Sequence, residues 1–136
     1  METVQWSEKF SVGVRELDQQ HQQLIKLLNR LISTQGTINT HSETVSDTLM
    51  AMPRYAQEHF KTEESLMETY GFPGLERQKI QHRDFRKKTV SLSTATYLGV
   101  GQIPEALLVY LADWWVHHIL EEDMAYRSFF KGKGVE

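Results

Sequence analysis

The feature that most restricts the fold of this chain is a spacing of three and four between core-type residues, repeated along four long stretches. The first stretch reads Leu17, His21, Leu24, Leu28 and Leu31, and the second Val45, Leu49, Met52, Ala56, His59, Glu63, Leu66 and Tyr70. The third reads Leu75, Gln78, His82, Phe85, Thr89 and Leu92, and the fourth Leu107, Leu111, Trp114, His118 and then Ala125. This period puts one face of an α-helix in a core, whereas a half-buried strand needs strict alternation, which no segment has. Three breaks rich in glycine and proline separate the stretches: Gly36 to His41, Gly71-Phe72-Pro73-Gly74, and Gly99 to Pro104. Ser42 ahead of Val45, and Pro104 ahead of Glu105, read as helix starts. The expected fold class is therefore all-α, an up-down-up-down antiparallel four-helix bundle over residues 17–130. An extended N-terminal arm, residues 1–16, precedes it and carries Trp6, Phe10, Val12 and Val14. The chain 1–136 reads as one domain, with a bend expected where Pro53 interrupts the second helix.

Composition removes several kinds of chemistry. There is no cysteine among the 136 residues, so thiolate metal sites, iron–sulfur clusters and cysteine nucleophiles are excluded. Fifteen Lys and Arg against 18 Asp and Glu give a net charge of −3, which disfavours a nucleic-acid partner. The longest apolar run, Leu107 to Trp115, is broken by Asp113 and falls well short of the ~20 residues of a membrane span, so no membrane contact is expected. Residues Met1 to Trp6 lack a basic-then-apolar leader, which points to a cytoplasmic setting.

The unusual content of the seams is ionisable. His21, His59, Glu63, Gln78 and His82 all occupy core-facing positions, where an unpaired polar group costs ~1–3 kcal/mol. His21 lies about one turn into the first helix, and His82 about two turns into the third. Glu63 and Asp123 lie about two turns from the ends of the second and fourth. In an antiparallel bundle these four places coincide in depth to roughly 5 Å, with His59 and His118 a turn deeper. Several imidazoles and two carboxylates without a thiolate suit a first-row metal, and two shared carboxylates suit a pair of ions. His118 and Asp123 are five residues apart, about 140° on an ideal helix, so the fourth helix is expected to be over- or underwound there, a π-bulge being one such form. His41 and His117 fall off the seams and receive no ligand role. Glu64, Glu121 and Glu122 are expected on solvated faces or behind the ligands, and Trp114, Trp115, Phe60, Phe85 and Tyr70 chiefly in the core.

With these residues in view, the sequence resembles the hemerythrin family in its bacterial, single-domain form. The resemblance rests on Gln19-Gln20-His21, on His59 through Met67 with its His-x-x-x-Glu, on Gly71-Phe72-Pro73 followed by His82-Arg83-Asp84-Phe85, and on Trp114 through Asp123. It spans roughly Val4 to Phe130 and is similar also to hemerythrin-like domains at the C-terminus of bacterial chemotaxis receptors. It implies a non-haem di-iron centre, with an oxo or hydroxo bridge, that binds O₂ or small anions. Carried over residue by residue, His21 and His59 would hold an iron with an open position, His82 and His118 the other, and Glu63 and Asp123 would bridge. The family has a further histidine where this chain has Gln78, which offers a weak amide ligand or none and would leave a second iron position open.

The function implied is O₂ binding for oxygen or redox sensing or for carriage, in a domain attached to a receptor or signalling module of the chemotaxis kind. Leu24, Phe60, Trp115 and Ile119 flank the ligand positions and resemble the family's apolar O₂ pocket. The alternative raised by Gln78 is a di-iron enzyme: a peroxidase, nitric-oxide reductase or ferroxidase. Against it stands the histidine-rich donor set, with no Glu-x-x-His pair of the ferritin-like bundles.

Overall fold

The computed structural model describes residues 2–34, 43–98 and 105–136. They form α1 (Arg15–Thr34), α2 (Glu43–Tyr70), α3 (Leu75–Leu98), α4 (Glu105–His117), a π-helical turn (His118–Asp123) and α5 (Met124–Gly132). His117 and Met124 both keep right-handed helical dihedrals, so α4, the π turn and α5 make one rod. Helix α1 packs on α2, α2 on α3, α3 on α4, and α4 on α1. That ring order is the four-helix bundle expected, and there is no strand among the described residues. The breaks at Gly36–His41 and Gly99–Pro104, the starts at Ser42 and Pro104, His41, and the side chains of Val45, Leu49 and Leu92 lie outside the described residues.

Local chemistry fixes how the rods begin and end. The Asp18 carboxylate reaches back from the first turn of α1, accepting from Ser11 Oγ at 2.6 Å and from the Val12 N–H at 2.8 Å. It thereby ties the arm to the bundle. Helix α2 runs through Pro53 and stops at Tyr70, where Gly71 adopts a left-handed φ of 74°. The Phe72 N–H then bonds to the Met67 carbonyl at 2.8 Å and the Gly71 N–H to that of Glu68, a Schellman ending sealed by apolar burial of Phe72 near Met67.

Two apolar clusters divide the interior. The larger contains Phe10, Leu24, Leu28, Phe60, Phe85, Leu111, Trp115 and Ile119, and the smaller contains Val12, Val14, Leu17, Met67, Tyr126 and Phe130. Between them every rod carries polar residues: His21 separates Leu17 from Leu24, Glu63 separates Phe60 from Met67, and Asp123 separates Ile119 from Tyr126. Gln78 and His82 do the same in α3, between Leu75 and Phe85. The fold thus places a polar layer between two greasy ones.

Three details differ from the sequence reading. The arm is not wholly extended, because Glu8–Phe10 forms a 3₁₀ turn that buries Phe10, and α1 begins at Arg15. Ala125 is exposed and Tyr126 is fully buried, because the π turn adds one residue to the fourth seam and moves everything after it round by one position. Tyr70 is 38% exposed and Leu66 only partly covered, the buried place going to Met67, because the seam drifts by one residue toward the end of the helix.

Candidate metal centre

The polar layer brings together the six ionisable residues expected to meet. His21, His59, Glu63, His82 and Asp123 are completely buried and His118 is 4% exposed. Their donor atoms form two groups, each within 4.8 Å: His21, His59, Glu63 and Asp123, and Glu63, His82 and His118. Glu63 belongs to both. Asp123 also spans them, since its Oδ2 lies 3.1 Å from His21 Nε2 and its Oδ1 lies 3.0 Å from His118 Nε2. The π turn permits this span, because it brings residues five apart onto one face.

Partners behind the rings decide which nitrogen faces inward. The Nδ1–H of His59 donates to Gln20 Oε1 at 2.7 Å, and Gln20 is in turn oriented by its Nε2 donating to Thr62 Oγ1 at 3.1 Å. The Nδ1–H of His82 donates to Glu64 Oε2 at 2.8 Å. Both rings therefore turn an unprotonated Nε2 toward the layer. There His82 Nε2 lies 3.2 Å from His118 Nε2, and His59 Nε2 is in close contact with Glu63 Oε1. Tyr126 donates its hydroxyl to the other oxygen of Glu63 at 2.9 Å. Flat aromatic contacts fix two rings further: Phe60 on His82 at 3.9 Å and Trp114 on His118 at 4.3 Å.

Burial and the two carboxylates pull the ionisable groups of the layer in opposite directions. Burial, helped by the neighbouring His59, lowers the pKa of His21, and burial lowers that of His59 to about 3. Burial and the nearby Asp123 push Glu63 up to about 7. Burial alone would raise Asp123 too, but His118 and His21 hold it well below the usual range. Burial opposes charge on His118, yet Asp123 and Glu63 outweigh it and raise its pKa. Glu64 is lowered, first by the hydrogen bond from His82.

Whether this layer fits metal ions can be tested on its buried polar atoms. His21 Nδ1 and Nε2, His59 Nε2, Glu63 Oε1, Gln78 Oε1 and Asp123 Oδ2 have no hydrogen-bond partner among the described residues. Each such atom costs ~1–3 kcal/mol if left alone. An unprotonated nitrogen in contact with a carboxylate oxygen is favourable only with a proton or a cation between them. Burial and the neighbouring Asp123 leave the Glu63 charge uncompensated, and a first-row metal held by imidazole and carboxylate donors meets that demand.

The sequence matches the family described as "Hemerythrin HHE cation binding domain" over residues 12–128. The chain belongs to the hemerythrin family. It is 29% identical over 126 residues to a bacteriohemerythrin of Stenotrophomonas maltophilia, covering 93% of this chain and 80% of that protein. It is 28% identical to a myohemerythrin of Theromyzon tessulatum, covering 93% of each. A solved wild-type hemerythrin superposes with a TM-score of 0.84 at 25% identity, covering 93% of this chain and 97% of that one. Kinship with hemerythrins implies a di-iron, O₂-binding centre, which the buried His, Glu and Asp groups fit, and does not favour the enzyme readings.

The remaining expected positions are also placed. Leu24, Phe60, Trp115 and Ile119 are buried in the larger apolar cluster, on the inner side of the layer. His117 is exposed and its Nδ1–H donates to the Asp113 carbonyl at 2.8 Å. Gln78 turns its Nε2 to Asp123 Oδ1 at 3.2 Å and to the Glu122 carbonyl at 3.3 Å. Three contributors escaped the sequence reading: Tyr126, displaced by the register shift, Gln20 as the partner of His59, and Trp114 as the ring beneath His118. Glu122, bound in bidentate fashion by Arg77 at 2.7 and 2.8 Å, lies on the outside of the π turn.

Proposed function

We propose that the chain binds O₂ reversibly at two irons, one held by His21 and His59, the other by His82 and His118, with Glu63 and Asp123 serving both. The observation that carries this reading is the pair of donor groups sharing Glu63, with the two Asp123 oxygens each turned to a different group. When bound, the irons supply the electrons that O₂ takes up and returns.

The protein's own residues do the rest. Glu63 and Asp123 place two negative charges beside the cations in a medium where charge is otherwise expensive. Gln20 and Glu64 keep Nδ1 of His59 and His82 protonated, so that Nε2 is free to donate. Leu24, Phe60, Trp115 and Ile119 form a wall that withholds water and protons from the ligand. No helix among the described residues is long and apolar enough to cross a membrane.

The finer role is oxygen or redox sensing in the cytoplasm, within a receptor or signalling module such as a chemotaxis receptor. Its support is the arm, which lies against the core beside the centre. Phe10 shares the apolar cluster of Leu24 and Ile119, while the Val4 N–H and C=O each pair with the Asn29 side chain at 2.8 Å. The arm lies outside the four rods, so it can shift while the bundle itself stays intact.

The deciding experiment is anaerobic reduction, exposure to O₂, and removal of O₂, with visible absorption recorded and iron counted per chain. Two irons and a charge-transfer band that forms and vanishes with O₂ are expected; iron-free protein or irreversible bleaching defeats the reading. Ile119→Ser should shorten the life of the oxygenated form, and an unchanged autoxidation rate would remove Ile119 from the wall.

A further inference from the structure

The two halves of the centre each bring two imidazoles and share two carboxylates, and against the second half stands Gln78, 2% exposed. Both partners of its Nε2, the Asp123 carboxylate oxygen and the Glu122 carbonyl, are acceptors only. Turning the amide over would set oxygen against oxygen, so its orientation is fixed by its neighbours. The nitrogen is committed to Asp123, and Oε1 is left as a buried acceptor without a donor. An acceptor in that condition is favourable only if a protonated group meets it. No other described side chain meets it: Tyr126 gives its hydroxyl to Glu63, and the His82 Nδ1–H goes to Glu64.

The surface separates the halves as well. A depression of about 170 Å³, lined by Gln81, Trp114, His117, His118, Glu121 and Glu122, reaches the second half from outside. His118 is 4% exposed, whereas His21, His59 and His82 are at 0%. A different depression of about 300 Å³, which includes Gln20 and His59 in its lining, approaches the first half. Each half has a surface depression that touches one of its histidines, His118 in the second and His59 in the first.

We propose that the His82–His118 half holds a small exchangeable ligand of its own. At rest this is water or hydroxide whose O–H donates a hydrogen bond to Gln78 Oε1, and it is displaced by a small inorganic anion. Gln78 is then a positioning residue: its nitrogen holds Asp123 and its oxygen holds the resting ligand. This inference rests on the di-iron reading, and iron must be counted on every sample so that the two can fail separately.

The test is titration of the iron-loaded, oxidised full chain with sodium azide, followed by calorimetry and visible absorption. Two irons and two azides per chain are expected. Gln78→His, which places a third imidazole on that half, is expected to keep two irons and bind one azide. Two irons with a single azide in the unsubstituted chain overturns the proposal and leaves the di-iron reading standing. Two azides surviving in Gln78→His also overturns it, since the second site would then lie elsewhere. A chain that takes up no iron overturns the reading beneath. The unsubstituted titration decides the matter even if Gln78→His does not fold.

Discussion

The two halves of the centre are supported by different physics. In the first, the His21 and His59 rings meet edge-on at 4.3 Å, and the support behind His59 is a neutral amide, Gln20, steadied by Thr62. In the second, His82 lies flat on Phe60 and His118 flat on Trp114, and the support behind His82 is a carboxylate, Glu64. A carboxylate makes the ring it holds a stronger donor than an amide does, and flat stacking restricts the rings' rotation. The half with the flat-stacked rings and the charged support is also the half beside Gln78. A stiff pair of donors can hold a cation without a third nitrogen, which a loose pair does less well.

The sharpest way to break this comparison is to remove what the halves share. Asp123→Ala takes an oxygen from His21 and another from His118, and is expected to bring iron from two per chain to near zero. One iron retained, counted by metal analysis on folded protein, would mean that the halves are independent. A smaller effect is expected behind the rings. Glu64→Gln should weaken iron binding by about 10–100-fold in a chelator competition, and Gln20→Leu by about 10-fold, the lower end of the range for such supports. Equal losses would remove the distinction between charged and neutral support.

The sequence carried the shared part of this picture further than the part that differs. Four seams of period three and four announce four helices, and ionisable residues in a seam are visible because burial makes them costly. Even a local change of winding was legible, since His118 and Asp123 cannot share a face of a regular helix five residues apart, and the structure makes it a π turn. Its consequence was not carried through: one added residue turns Ala125 out and Tyr126 in. The supports behind the rings were less accessible. Gln20 and His59 are 39 positions apart and meet only through the rotation of α1 against α2, which the period of each helix leaves open. Glu64 reads as an acid on a solvated face or behind the ligands, and only its partner His82, on another rod, decides for the second.

Proton competition probes Glu63 in the iron-free chain. Its pKa of about 7 lies above the ordinary 4.5, so the folded chain holds a proton that the unfolded chain has lost between those values. By linkage, its contribution to stability is full below pH 4.5 and is lost as the pH rises to 7. His59, lowered from 6.5 to about 3, acts in the opposite sense and costs stability as pH falls through that window. Iron must displace the Glu63 proton below pH 7 but meets His59 already neutral. Glu63 and His118, whose pKa is raised as well, each hold a proton that iron displaces. Iron affinity should therefore climb with pH with a slope near two protons per chain, and a slope near three would mean that His59 also competes.

The smallest effect separates the two carboxylates. Asp123 divides its oxygens evenly, at 3.1 and 3.0 Å from the halves, while Glu63 turns one oxygen to His59 and, at 3.9 Å, to His82. Its second oxygen is held by Tyr126. Tyr126→Phe removes a buried donor without changing the ring, so the iron-free protein should lose about 1–3 kcal/mol of stability in denaturant unfolding. In the iron-loaded protein the freed oxygen can turn to a cation instead, and the loss should shrink. The difference between the two losses measures how strongly Tyr126 keeps Glu63 leaning toward the first half. Identical losses with and without iron would show that the lean belongs to the packing of α2, with the hydroxyl merely following it.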